Sequence, residues 1–527
     1  MLLASCSSLP PNVSRTPSSA LADASDTALG RLVASAVPAT NQPSADSGFR
    51  LLIRSDVAYG SRMAMIDAAQ KTLDLQYYAI HYDSSTEALL EQLRQAARRG
   101  VRVRILLDDF NATGRNIEVL RLDLEPGIEI RMFNPVTGSR RSQTGRMLGS
   151  LFDFQRIQQR MHNKVFIADN ALAVTGGRNL GDEYFGQGQN NNFLDLDVLA
   201  AGRIVRELSR SFDRYWNHEL AYPVQALLTP GEKEMFSRPQ SAAPAPSPAS
   251  APATSAEMTT QPATNAAAGQ APQAVAGAAG VADDIRAGKL ELVWAPSALL
   301  VDQPSKIAPD DTADPADMDE TVVEGLLQMI QQARKELLIV SPYFVPGDRM
   351  MQTFTALRQR GIRIRVLTNS LASNDAPLAH VGYARYRVAL LKAGVELYEM
   401  RSQGTTQRRL FGSAPASRAS LHSKTVVMDE RLLAIGSMNL DLRSALQNTE
   451  VSLVIRSATL SRSMAQSIEQ TLNDSYRLEW VVGKLLWHAP KDEKNPALAI
   501  RSSEPEAGFG LQLMLKLIGP FAPSEML

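Results

Sequence analysis

Two segments of the 527-residue chain repeat one polar pattern. The first runs His162-Asn163-Lys164 and closes at Asp169; the second runs His422-Ser423-Lys424 and closes at Asp429. After each aspartate, six residues precede Gly176-Gly177-Arg178-Asn179 or Gly436-Ser437-Met438-Asn439. Val165, Phe166 and Ile167, and Thr425, Val426 and Val427, mark both segments as strands. Alternation along a strand puts His and Lys on the same face. A lone His-x-Lys pair on a strand would read as a surface pair. Two copies, each followed by a glycine turn and an asparagine, read as one paired site. If the halves associate about a pseudo-twofold axis, both histidines and both lysines converge on one pocket. Two lysines and two asparagines supply donors for the non-bridging oxygens of a phosphodiester. One neutral imidazole can attack phosphorus, and the other, protonated, can donate to the leaving oxygen. The second histidine then deprotonates an incoming hydroxyl that displaces the enzyme. The lysines provide the positive charge, so this chemistry requires no metal and no cofactor. No carboxylate or His cluster shows metal-ligand spacing.

The elements that must position these residues repeat as well. Arg99-Gly100-Val101-Arg102-Val103-Arg104-Ile105-Leu106 returns as Arg360-Gly361-Ile362-Arg363-Ile364-Arg365-Val366-Leu367. In each, a helical pattern ends at glycine and an alternating β-branched strand follows. The helix before Gly100 starts near Ser84 or Ser85 and sets Leu89, Leu90, Leu93, Ala96 and Ala97 on one face; the one before Gly361 uses Met351, Phe354 and Leu357. Residues 73–80 and 337–345 are strand candidates ahead of these helices. Strand, helix, strand at this spacing predicts a βαβ unit with parallel pairing. Gly100 to His162 spans 62 positions, and Gly361 to His422 spans 61. The chain therefore contains a duplicated domain whose repeat includes the polar motif.

Lys+Arg and Asp+Glu are equal at 55 each, which argues against non-specific coating of nucleic acid. One cysteine excludes an internal disulfide framework and any Cys-rich zinc module. No run of 18 apolar residues reads as a membrane span. Residues 241–280 hold 16 Ala and 6 Pro with Glu257 the only charge, which predicts a disordered linker. The expected organisation is a leader over 1–48, domains over 49–235 and 283–490, a linker over 236–282 and a tail over 491–527. Leu3-Ala4-Ser5-Cys6 resembles a lipobox, but a basic n-region and a long apolar stretch are missing. A disordered leader is the plain reading, and a lipid anchor at Cys6 is its alternative. Basic residues with apolar neighbours precede each motif: Arg140, Arg141, Arg146, Arg156 and Arg160 in one half, and Arg401, Arg408, Arg409 and Arg418 in the other. Such stretches suit an anionic membrane surface, and a solvated loop is the alternative. The tail carries Phe509, Leu511, Leu513, Met514, Leu515, Leu517 and Ile518, which would lie in an interface or cap a core. His380 reads equally as a head-group contact or a buried structural histidine.

The paired His-x-Lys-x4-Asp-x6-Gly-[Gly/Ser]-x-Asn pattern resembles the phospholipase D superfamily over roughly residues 50–235 and 283–480. LDLQYYAI, RRGVRVRILLDD, RMHNKVFIADNALAVTGGRNLGDEYFG, LTNSLASND, KAGVELYE, LHSKTVVMD and GSMNLDLRSALQNTE look like bacterial cardiolipin synthases of the C type. The resemblance implies an α/β fold: two tandem phospholipase D-like α/β/α sandwich domains, related by a pseudo-twofold axis and sharing one active site. It implies transfer of a phosphatidyl group to phosphatidylglycerol from a second phospholipid, with phosphatidylethanolamine the candidate donor, through a phospho-histidine. Hydrolysis to phosphatidic acid is the nearest alternative, followed by a nuclease and a non-enzymatic membrane scaffold. His162 and His422 carry over as nucleophile and general acid/base in an open order. Lys164, Lys424, Asn179, Asn439 and Ser437 carry over to phosphate binding. A carboxylate about 28 residues after the histidine orients its imidazole in that superfamily. This gives Glu450 for the second half and Asp195, with Asp197 as fallback, for the first. Asp169 and Asp429 belong to the motif, but their strand position reads as structural. Gly177 stands where the second half has Ser437, which makes the halves inequivalent. The implied partners are anionic and zwitterionic phospholipids and a membrane surface, without nucleic acid, and a small accessory protein is left open. The implied location is peripheral on a bacterial membrane, the inner membrane favoured.

Overall fold

The computed structural model describes residues 9–39, 45–111, 114–137, 154–237, 280–307, 321–403, 418–490 and 499–518. Two mixed sheets organise it. The first has nine strands in the order Ala221–Pro223, Ile128–Phe133, Arg102–Asp108, Thr72–Tyr77, Val165–Ala168, Leu172–Gly176, Asp197–Gly202, Ser47–Leu52, Val293–Ala295. The second has ten: Ser297–Val301, Val451–Arg456, Leu432–Gly436, Thr425–Met428, Glu336–Val340, Arg363–Asn369, Glu396–Met400, Tyr476–Val481, Lys484–His488, Ile500–Arg501. Parallel pairing joins Thr72–Tyr77 to Arg102–Asp108 and Glu336–Val340 to Arg363–Asn369, the crossover that the repeated segment predicts. The histidine-bearing strands pair antiparallel beside them.

The intervening helices form where the apolar spacing places them. Ser84–Arg98 begins with a capping box between Asp83 and Thr86 and buries Leu89, Leu90, Leu93, Ala96 and Ala97. Its counterpart Gly347–Gln359 buries Met350, Phe354 and Leu357. Gly100 and Gly361 end these helices at φ +92° and +80°. Nothing lies within 4 Å of a Cβ added at either, so the left-handed backbone, not space, selects glycine.

Three cores result. One lies under the outer helices of the first sheet and one under those of the second. The third lies between the sheets, where Ile204, Leu208 and Phe212 of the helix Arg203–Trp216 meet Leu338, Val427 and Leu453 of the second sheet. Leu460, Met464 and Ile468 of the helix Ala458–Asn473 join that same core. The halves thus share a continuous apolar interior.

Three sequence expectations change. The domain boundary shifts from 283 to Pro296, because Val293–Ala295 pairs with Ser47–Phe49 of the first sheet and Ser297–Val301 pairs with the second. Residues 9–39 of the leader are held against the first domain rather than loose. Buried Arg131 and Arg104 need acceptors, and the carbonyls of Thr16 and Ser18 accept from them at 2.6 and 3.0 Å. Cys6 and the linker 238–279 lie outside the described residues. Arg160 and Arg401 do not face a membrane: Arg160 pairs with buried Asp108, and Arg401 reaches Asp474 and Glu506. Residues 138–153 and 404–417, which hold most of the other basic side chains, lie outside the described residues.

In the tail, Glu504 takes up Arg387 at 2.6 Å and Glu506 accepts from the Ser402 amide at 2.9 Å. His380 is buried beside them, its Nε2 2.8 Å from Arg387, which makes it structural. The helix Phe509–Ile518 then exposes Leu513, Met514 and Leu517 while burying Leu515. Among the described residues no helix is long and apolar enough to cross a membrane.

Candidate active site

Each motif strand is preceded by a short strand that pairs parallel with a strand of the opposite half. Arg160–Met161 pairs with Asn448–Thr449, and Arg418–Leu421 with Asn191–Leu194. The pairing continues into the histidines. The His162 amide donates to Thr449 O at 2.9 Å, and the His422 amide to Leu194 O at 2.9 Å. Thr449 precedes Glu450 and Leu194 precedes Asp195, so each histidine lies against the carboxylate segment of the other half.

The carboxylates are consequently exchanged. Glu450 Oε2 is 2.9 Å from His162 Nδ1, and Asp195 Oδ2 is 2.6 Å from His422 Nδ1. This corrects the pairing implied by sequence offset, which assigned each carboxylate to the histidine of its own half. The physical reason is the cross-half strand pairing. Both histidines are buried, at 8% and 6% exposure, and both carboxylates are at 0%. A carboxylate can only accept, so Nδ1 of each ring carries the proton and Nε2 is left with a lone pair. Asp197, the fallback, is excluded from this role: it pairs with Arg62 at 2.8 Å inside the first sheet.

The two pairs differ electrostatically. Burial alone would raise Asp195, but the neighbouring His422, followed by Lys424, brings it down to about 2. Burial raises Glu450, against the opposing pull of Lys164 and Ser437. His162 is held well below its ordinary value by burial, then by Lys164 and Lys424. His422 is also lowered, by burial and Lys424, while Asp195 and Asp375 oppose that shift. Burial lowers Lys164 to about 7 and lowers Lys424 as well. Lys164 Nζ donates to His162 O at 2.7 Å, and Lys424 Nζ lies 3.1 Å from His422 Nδ1. Two lysines and two imidazoles are thus buried together, an arrangement that an anion would relieve.

The motif asparagines are buried at 3% and 5% exposure. Asn179 Nδ2 donates to Tyr184 OH at 3.0 Å, while Asn439 Oδ1 has no partner among the described residues. Ser437 departs from the expected phosphate role. Its hydroxyl donates to Glu450 Oε2 at 2.5 Å and accepts from the Val451 amide at 3.0 Å, which commits it to the carboxylate. A Cβ added at Gly177 would lie 2.1 Å from Asp195 Oδ1. The shorter aspartate occupies the space that serine fills in the second half, so Gly177 and Asp195 form a matched pair. Asp169 and Asp429 lie at the far ends of their strands, at φ +50° and +55°. Asp169 accepts from the amides of Gln70, Lys71 and Thr72, and Asp429 from those of Arg334, Lys335 and Glu336.

Several supporting residues carry no motif signal. Asp302 Oδ2 accepts from the Glu450 amide at 3.0 Å and from Lys306 at 2.8 Å, while its own amide donates to Glu450 O at 3.1 Å. Arg178 plays the matching part in the first half, donating to the carbonyls of Leu52 and Ile53 at 2.9 and 2.8 Å and to that of Asp195. Arg178 stands between motif residues, but nothing in the duplicated pattern marks Asp302. Tyr78 is edge-on to His162 at 5.1 Å, and Tyr184 is edge-on to His422 at 5.4 Å. Phe193 lies 5.0 Å from His422. Among the described residues no three His, Cys, Asp or Glu side chains gather as a metal site needs.

The family model described as "Cardiolipin synthase, PLD-like domain" matches residues 63–216 and 326–472. Cardiolipin synthase C of Escherichia coli is 36% identical over 499 residues, which cover 92% of this chain and 98% of that protein. An uncharacterized protein of Helicobacter pylori is 30% identical over 453 residues, covering 86% of this chain and 84% of its own. The crystal structure of a phosphatidylserine synthase from Haemophilus influenzae superposes with a TM-score of 0.55 at 12% identity. That match covers 95% of this chain and 100% of the other, and it shows a common fold.

Proposed function

Because the chain belongs to the cardiolipin synthase family of phospholipase D-like proteins, we propose that it is a phosphatidyl transferase making cardiolipin from phosphatidylglycerol and a second phospholipid, phosphatidylethanolamine. The observation that carries the reading is the pair of exchanged carboxylate–histidine contacts at 2.9 and 2.6 Å, buried beside Lys164 and Lys424. The donor's phosphate sits between the imidazoles, its non-bridging oxygens taken by Lys164, Lys424, Asn179 and Asn439. His162, the more strongly depressed of the two, is neutral and attacks through Nε2. A nitrogen–phosphorus bond forms and the bond from phosphorus to the head-group oxygen breaks. His422, backed by an ionised Asp195, takes up a second proton from solvent on Nε2 as the anionic phosphate binds, and it passes that proton to this oxygen. The phosphatidyl group now rests on His162. His422 next removes the proton from a phosphatidylglycerol hydroxyl, whose oxygen attacks phosphorus and frees His162.

Both lipids reside in a bilayer, so we place the protein peripherally on the inner membrane. The exposed Leu513, Met514 and Leu517 of the helix Phe509–Ile518 support such a contact. The nearest alternative, release of phosphatidic acid by water, uses the same residues. Incubating purified protein with phosphatidylglycerol vesicles, with and without phosphatidylethanolamine, and analysing the lipids by mass spectrometry separates the two. New cardiolipin that is absent with His422→Ala supports transfer. Phosphatidic acid alone makes the protein a hydrolase.

A further inference from the structure

Two near-equivalent motifs could grip a phosphodiester in either direction. Something outside them must decide which end faces which histidine. Four residues past each motif asparagine, the halves carry opposite charges: Glu183 in the first and Arg443 in the second.

Glu183 sits half-buried in the turn Asp182–Tyr184, whose Tyr184 ring stands edge-on to His422. Asp375 is exposed at the same corner. Tyr343 OH donates to it at 2.8 Å, and Ser420, two residues before His422, donates at 3.4 Å. Asp375 acts electrostatically on His422, Tyr184 and Glu183, so these groups line one lobe. The Phe193 ring stacks on Tyr184 at 4.7 Å within that lobe. Arg443 lies in the short helix Leu442–Leu446, which leads into the strand Asn448–Thr449 that pairs with Arg160–Met161 just ahead of His162, and its charge helps to lower the His162 imidazole. The surroundings of His422 are therefore acidic and aromatic, and those of His162 carry an arginine.

We propose that Glu183 and Asp375 are specificity-determining residues that draw the ammonium of an amino-alcohol head group to the His422 side, while Arg443 repels it from the His162 side. This rests on the reading above, in which His422 protonates the leaving alcohol. A leaving ammonium alcohol meets two carboxylates and the faces of Tyr184 and Phe193, both of which attract a cation. The uncharged polyol head group of phosphatidylglycerol gains little there as a donor. Its hydroxyl enters once the amino alcohol has departed, when the lobe is empty. The charge inversion thereby sets the donor's direction and keeps the donor and acceptor lipids distinct.

The test compares two donors that differ only in the amine: phosphatidylethanolamine and phosphatidylethanol. Each carries deuterated acyl chains and is mixed into phosphatidylglycerol vesicles with the full-length protein. Labelled cardiolipin is counted by mass spectrometry. Wild type should favour the amine donor, and the double variant Glu183→Gln, Asp375→Asn should lower that preference about tenfold. Arg443→Gln should lower it less and in the same direction. An unchanged donor ratio in the double variant overturns the inference, whether or not total activity falls. Thermal melting checks folding, and Glu183→Gln alone replaces the pair if the melting point drops. Wild type that makes cardiolipin from neither donor would instead overturn the proposed reaction.

Discussion

At the scale of single residues, Lys164 gives the most direct handle. Burial holds its ammonium at about 7, so in the free enzyme the charged form is lost as pH rises through that value. Phosphate binding needs the charged form, and His162 must be neutral to attack. We therefore expect kcat/KM to fall above about pH 7, because it reports ionisations of the free enzyme. Lys164→Arg should move this basic limb upward by at least two pH units (~2), since a guanidinium stays protonated. A pH series on both proteins checks it, and coincident limbs would assign the limb to another group. The histidines and lysines were legible in the sequence because duplication turns a weak pattern into a strong one. The partner of each histidine was not. An offset of 28 residues identifies Glu450 but says nothing about which half its strand joins. The bond from Ser437 to Glu450 is hidden for a similar reason: a hydroxyl beside a motif says nothing about the carboxylate that captures it.

At the scale of elements, the glycine turns and the alternating strands were readable, since φ preference and period-two burial are local properties. The segment after the linker was not readable in this way. Its strand Ser297–Val301 takes the place that Ser47–Leu52 takes in the first sheet, but no repeated residues announce it, and the segment also lends Val293–Ala295 to the first sheet and supplies Asp302. Its position depends on contacts made far away in sequence. The turn at Gly177 shows how tightly an element can be matched to its site. Serine there would drive Cβ to 2.1 Å from Asp195 Oδ1 and push the carboxylate off His422. We expect Gly177→Ser to lower kcat by roughly 100-fold, the usual scale for a displaced catalytic group. Ser437→Gly, which removes one hydrogen bond to Glu450, should cost roughly tenfold. Steady-state kinetics on both variants tests the contrast. An equal loss would show that Gly177 has no special relation to Asp195.

At the scale of the molecule, composition and the repeat already implied two α/β domains about one pocket. How completely the domains interlock emerges only from the fold, through the shared core, the two cross-half strand pairs and the exchanged carboxylates. The first half, ending at 237, and the second, beginning at 280, should each be inactive when made as separate chains, by roughly 1,000-fold or more. Mixing or co-expressing them should recover activity, because the catalytic contacts described above join residues that both fragments retain. Activity from either fragment alone would contradict the exchange of Glu450 and Asp195. The exchange also bears on the protein's synthesis. The ribosome finishes the first half while Glu450 does not yet exist, so the emerging His162 has no carboxylate to orient it. A nascent chain that meets lipid early is harmless to it. Competence begins only when the second half docks, which makes correct folding itself the licence to touch the membrane's phosphodiesters.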